Sequence, residues 1–470
     1  MKHYYNNQAF DADQLINEYE GLVTKGKKIT LKEPDFINLA NHFEHENLLE
    51  DALDVLDTAL FHFKDSAALH IRKARLLIYK KDIDKALESL NRAEIYGEES
   101  FEVDILRVRA LCYQKNFDAA NALLTNLKIK YFPYSEKLSD VYCIEALLYE
   151  RQEHYEQMYL ALKDALLENP GNMEALRRMF MCVEFSRKHR ESIELHLHLI
   201  DEKPYSHLAW YNLAHAYYAT SQYEDAIEAF EYSYLVDESY DIAYLDCAEL
   251  CYSLHKWEKA LDCYLSALPL IEADEEVLTR IGECYIQIGQ YEKAKIYLYR
   301  ALSHNPKDEE VYFHIGQAYA KAGKWENAIH FYRQAVKLMP ERDDFLYALA
   351  KNEQMLGKED EAIALYKRAI QLIPDFSESW VGMATVYLHR GQPQVALGVL
   401  EEADKYTISP EMHYTNAVCH FRLKQRSEAL EFLKDGLLDY FDGHAFIFEL
   451  APELKLNKDV QAIIRYYRNE

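Results

Sequence analysis

A large residue returns about every 34 positions along this chain, at Phe36, His70, Asp104, Tyr142, Leu176, Trp210, Tyr244, Leu278, Tyr312, Leu346, Trp380 and His413. A small insertion around YFPYSEK (131–137) and a one-residue contraction before the last marker are the exceptions. Four residues beyond the marker, most units carry a small side chain: Ala40, Ala74, Ala146, Ala214, Ala248, Gly282, Gly316, Ala350, Ala384 and Ala417. A second small residue returns later, at Ala52, Ala86, Ala120, Ala226, Ala260, Ala294, Ala328, Ala362, Ala396 and Ala429. Where two antiparallel helices approach within roughly 8–10 Å, bulky side chains cannot both fit at the crossing. The pattern therefore predicts a helical hairpin in every unit, each burying its apolar face against the next.

The stretch VYFHIGQAYAKAGKWENAIHFYRQAVKLMP (311–340) shows one unit whole: two amphipathic helices, broken at KAGK and closed by Pro340. Gly289, Gly323, Gly357 and Gly391 fall where a first helix ends and positive φ is often needed, and Pro170, Pro306, Pro340 and Pro374 follow second helices. With only 14 Gly and 11 Pro in 470 residues, against ordinary usage of roughly 7% and 5%, tight turns are expected rather than long loops.

This spacing, with its Trp/Leu/Gly/Tyr, Ala/Phe/Ala and Pro positions, resembles the tetratricopeptide repeat family. WYNLAHAYYATSQYEDAIEAF (210–230) and LTRIGECYIQIGQYEKAKIYLYRALSHNP (278–306) carry the likeness best, with 311–340. The resemblance covers nearly the whole chain and implies an all-α fold: an α-solenoid, a right-handed superhelix of antiparallel hairpins. The expected organisation is an N-terminal capping helix in 1–34, about twelve repeats in 35–437 that diverge near 171–205, and a C-terminal capping helix in 438–470. In the divergent unit Phe180 occupies the first small site and Ser192 the second. The caps are read from apolar faces at Leu15, Ile16, Tyr19, Leu22 and Val23, and at Val460, Ile463, Ile464 and Tyr467.

A net charge of −26 argues against nucleic acid and anionic membrane surfaces as partners, since both are bound through Lys and Arg. MKHYYNNQAF has no apolar run like a signal peptide, and no stretch reaches the roughly 18 apolar residues of a spanning helix. A cytoplasmic protein is expected. The eight cysteines form no CxxC and read as small buried hydrophobes in a reducing compartment.

Chemistry finds little support. His42 and His45, and His196 and His198 in HLHL, have spacings that invite a metal, but no third ligand is evident in sequence. Phosphate-cradling and hydrolase signatures are missing, and acid pairs such as Glu401 and Glu402 read as solvated helix faces. No catalytic residue, cofactor or metal is expected.

In the family the first helix of each hairpin lines a concave groove. The resemblance turns the residues one beyond the marker inward: Ile37, Ile71, Ile105, Cys143, Arg177, Tyr211, Leu245, Thr279, Phe313, Tyr347, Val381 and Tyr414. They either pack between neighbouring repeats or dock a peptide or helix of a partner. A second row, Arg75, Arg109, Arg151 and Arg177 followed by His215, either holds an acidic or C-terminal carboxylate portion of that partner or pairs internally with neighbours such as Glu145 or Glu184. Tyr211, Tyr218, Tyr252, Phe313 and Tyr347 are assigned its apolar portion. Acids at Glu276, Glu310, Asp344 and Glu378 suit the starts of first helices through the helix dipole. The lysine and asparagine clamp by which some family members grip chaperone tails is not matched: Ile37, Ile71, Tyr211 and Phe313 fill the lysine site, and only Asn41 meets an asparagine site.

The leading reading is an interaction scaffold of unknown oligomeric state. The alternatives are a structural or self-assembling subunit of a larger complex and, more distantly, an enzyme.

Overall fold

The structure, a computed structural model, describes residues 12–25, 31–97 and 100–468. The side chains of Leu22 and Val23, assigned above to the N-terminal cap, lie outside the described residues. All regular structure among the described residues is helical. After α1 (Ala12–Lys25) come twelve hairpins. The first six are α2–α3 (Glu33–His45, Leu49–His62), α4–α5 (Ala67–Lys80, Ile83–Tyr96), α6–α7 (Phe101–Tyr113, Phe117–Tyr131), α8–α9 (Ser135–Arg151, Tyr155–Glu168), α10–α11 (Met173–Ser186, His189–Glu202) and α12–α13 (His207–Ala219, Tyr223–Val236). The rest are α14–α15 (Asp241–Ser253, Trp257–Ala267), α16–α17 (Glu275–Gln287, Tyr291–His304), α18–α19 (Glu309–Lys321, Trp325–Leu338), α20–α21 (Asp343–Met355, Glu359–Leu372), α22–α23 (Ser377–His389, Pro393–Ala403) and α24–α25 (Pro410–Arg422, Arg426–Asp439). The closing segment, read from sequence as a capping helix, holds two 3₁₀ turns with α26 (Ala445–Leu450) and α27 (Lys458–Arg468).

The alanines of both small-residue sets are fully buried, as the close crossing requires. At Gly316 a Cβ would stand 2.7 Å from the ring of Tyr332, so the glycine makes room for that tyrosine. The insertion before Tyr142 is absorbed as extra length in α8: its 17 residues exceed those of every other first helix, and four added residues make about one turn, so the register of the apolar face is kept.

The chain divides into two compact units, residues 1–243 and 244–470. In the first, one core runs from Leu31 to Ala110, with Leu15, Ile16 and Tyr19 of α1 packed on it, and a second from Val108 to Leu148. α10 packs on α9 and α12 far more than on α11, its own hairpin partner. Phe180, too large for a helix crossing, turns instead to Tyr211 and His215, with ring centroids 6.2 and 4.4 Å away. In the second unit one core runs from Ala350 into the closing segment, where Ile447, Val460 and Ile464 are buried.

All eight cysteines are buried, and none forms a disulfide among the described residues. Among the described residues no helix is long and apolar enough to cross a membrane.

Candidate functional site

Side chains on successive first helices meet, so these helices form one continuous face within each unit. In the first unit this face is cross-linked by charge. Arg72 pairs with Glu44, and Arg75 with Glu102. Arg178 of α10 reaches α8, donating to the Cys143 carbonyl at 2.8 Å and the Glu150 carboxylate at 2.6 Å. Arg109 of α6 bonds Glu174 of α10 at 3.4 Å, passing over the intervening α8. For side chains from alternate helices to touch, this row must curve inward. The face is concave there.

The arginine row is thus largely committed inside the chain. Arg75 and Arg109 have the partners just named, and Arg151 lies 4.5 Å over the ring of Tyr113. The acids named from sequence serve elsewhere: Glu145 pairs with Lys128 at 2.5 Å, and Glu184 with His189 at 3.8 Å. Arg177 is exposed, and its charge helps depress the His207 pKa, after the larger effect of burial. Tyr211 is buried against Phe230 and Tyr240, with centroids 5.8 and 5.3 Å away, while Tyr218 is 49% exposed. His215 packs its ring between Phe180 and Phe230, at 4.4 and 5.1 Å.

In the second unit the same face opens into two hollows. One, of about 520 Å³, is lined by Phe313, Trp325, Tyr332, Tyr347, Asn352 and Phe376, among others. The other, of about 510 Å³, shares Tyr347, Lys351 and Met355 with it and adds Tyr366, Val381, Leu450 and the carboxylates of Glu378, Glu411 and Glu449. Phe313 stacks on Phe345 at 4.7 Å, and Tyr347 meets Phe376 edge-on at 5.4 Å. Burial raises the Tyr347 hydroxyl pKa, and the charge of Glu378 adds to it. Asn352, 5% exposed, donates to the Ala348 carbonyl at 2.8 Å, while its Oδ1 has no partner. Tyr252 lies outside the hollows, packed between Trp257 at 5.2 Å and the Arg280 guanidinium at 4.5 Å.

Tyr414 requires a correction. Assigned to the groove by its register, it is fully buried, and its hydroxyl donates to the carbonyls of Gly436 and Tyr440 at 2.9 and 2.8 Å. A Cβ on Gly436 would stand 2.8 Å from the Tyr414 ring, so the tyrosine fills the space a side chain there would take. It is a core residue. The HLHL pair cannot share a metal: His196 is buried while His198 is exposed, as two positions apart on a helix demands. No group of three or more His, Cys, Asp or Glu able to hold a metal occurs among the described residues.

Sequence reasoning missed Trp325, Tyr366, Phe376 and Leu450, which come from second helices, a loop and the closing segment. Only positions on first helices had been placed on the face by register.

Residues 206–275 match the family model of the tetratricopeptide repeat. Residues 287–369 and 355–436 match that of the anaphase-promoting complex (cyclosome) subunit 3. No curated protein matches the chain. Among solved structures, a tetratricopeptide repeat protein from Parabacteroides merdae is 16% identical and covers 59% of this chain and 99% of its own, with a TM-score of 0.43. The APC/C hetero-tetramer Cut9–Hcn1 is 15% identical over 91% of this chain and 96% of that one, at 0.36. YrrB, described as having an unusual peptide-binding site, is 20% identical over 40% of this chain and 96% of its own, at 0.34.

Proposed function

Because the chain is a tandem tetratricopeptide-repeat protein, we propose that it is a non-catalytic cytoplasmic scaffold that holds a peptide or helix segment of a partner protein on its first-helix face. The observation that carries this reading is the pair of adjoining hollows around Tyr347. Each is of a size to take one or two side chains, and each presents aromatic rings that supply contact area at little entropic cost. The first unit contributes less in this reading, because Arg75, Arg109 and Arg151 are held by Glu102, Glu174 and Tyr113. Tyr218 is its most open aromatic on the expected row.

A second reading, a subunit of a larger complex, is favoured by the match of 287–436 to a family named for an assembly subunit.

The test compares the wild-type chain with a Phe313→Ala/Tyr347→Ala variant in affinity capture followed by titration against the recovered partner. Helical content should be unchanged and affinity reduced at least about tenfold, chiefly through a faster off-rate. Recovery of the same partners at unaltered affinity would eliminate this face as the site. Light scattering of the purified chain addresses the second reading, through assembly that grows with concentration.

A further inference from the structure

The two hollows differ in charge, and the difference identifies an occupant. We propose that the hollow bounded by α20, α22, α24 and α26 takes a lysine or arginine side chain of an extended partner segment. This rests on the scaffold reading and refines it, since the sequence alone had pointed to an acidic partner.

The floor of this hollow is apolar, formed by Tyr366, Val381 and Leu450, and its lining carries Glu378, Glu411 and Glu449. Several acids on first helices elsewhere are held in ion pairs: Glu44 with Arg72, Glu150 with Arg178, Glu283 with Arg280 and His314, and Glu310 with Arg342. These three are not. Among the described residues none of them has an ion-pair partner, and Glu378 accepts only a 3.3 Å bond from the neighbouring Ser377 hydroxyl. The basic side chains in the lining are Lys351, whose ammonium stands 5.9 Å from the centre of the Tyr347 ring, and His389.

Three carboxylates without an ion-pair partner line a partly enclosed apolar space, which leaves their charge uncompensated. A long basic side chain relieves this while laying its methylenes on the floor, as such residues do wherever apolar surface adjoins charge. An aliphatic side chain would satisfy only the floor, and an acidic one would add to the uncompensated charge. The match is therefore one of both shape and sign.

The test uses the full chain on arrays of end-blocked dodecapeptides in which one position is fixed as Arg, Lys, Leu or Glu and the others are degenerate. Wild type should retain Arg- and Lys-fixed peptides over Glu-fixed ones by roughly tenfold at low salt, with the ratio falling as salt rises. In a Glu378→Gln/Glu411→Gln/Glu449→Gln variant, which alters no ion pair, that preference should vanish while retention of Leu-fixed peptides persists. Peptides bound without a basic preference, or a preference that survives the triple variant, would overturn the inference and leave the scaffold reading standing. Retention of no peptide of any composition would overturn both.

Discussion

The two units build the same hairpin with different residues at its turn. Each first helix ends in a residue of positive φ, eleven positions past the marker in every repeat. In the first unit these are Asn47, Lys81, Lys115, Glu153, Arg187 and Ser221, with φ between 56° and 66°. In the second, Gly289, Gly323, Gly357 and Gly391 take the position with φ between 69° and 82°, flanked by His255 and Lys424. The left-handed conformation is thus imposed by the connection between packed helices. Glycine makes it cheaper and is not needed to create it. The first-helix face shows a second contrast: both units carry Arg–Glu pairs on it, but around Tyr347 in the second unit it opens into aromatic hollows.

The sharpest difference between the units should appear on acidification. His196 in α11 is fully buried, its Nδ1 donating to the Ser192 carbonyl at 2.8 Å while Nε2 has no partner. Burial lowers its pKa from 6.5 to about 4. As pH falls through 6.5 the unfolded chain takes up a proton that the folded chain refuses until about pH 4. Stability is therefore lost across that window, by roughly 3 kcal/mol at its end. Burial also depresses His70 and His207, in the same unit. Urea titrations at pH 7.5 and 4.5 should show the first unit losing more stability in wild type than in a His196→Leu variant. Equal pH dependence in the two proteins would mean that water reaches the imidazole.

Next in size is the crossing at Gly316. A leucine there would drive into Tyr332, whose ring already lies 2.7 Å from where a Cβ would be. A loss of about 1–3 kcal/mol is expected, felt first in the second unit because repeats couple to their nearest neighbours. An unchanged denaturation midpoint would show that the ring has somewhere else to go.

The period made the fold legible: twelve hairpins stand where the markers, alanines and glycines put them. Legibility ended where a residue's role depends on what its neighbours happen to be. Tyr414 and Tyr347 share one register position, yet Gly436 opposite the first lets its ring sink into the core, while the second has Phe376 and an open space beside it. Repeat spacing could not distinguish them. The arginines lie on first helices, but the partners of Arg75 and Arg109 stand 27 and 65 residues away, at Glu102 and Glu174, beyond any local pattern. Leu450 and Glu449 belong to a closing segment that follows no repeat register.

The smallest predicted effect isolates the turn comparison most cleanly. A Cβ at Gly357 would have nothing within 4 Å, so replacing this glycine by alanine adds no clash and exposes only the cost of holding an L-residue at φ 73°. That cost is about 1 kcal/mol, and Gly357→Ala should lower the stability of the second unit by that amount. The converse change, Lys115→Gly in the first unit, relieves the same strain at φ 60° but frees the unfolded chain, which returns roughly half of the gain. Stabilisation by about 0.5 kcal/mol is expected. Lys81→Gly, an equivalent site one repeat earlier with φ 66°, should stabilise by a similar amount. If instead Gly357→Ala is neutral and Lys115→Gly destabilises, the non-glycine turns are not strained, and the glycines of the second unit answer to some demand other than backbone conformation.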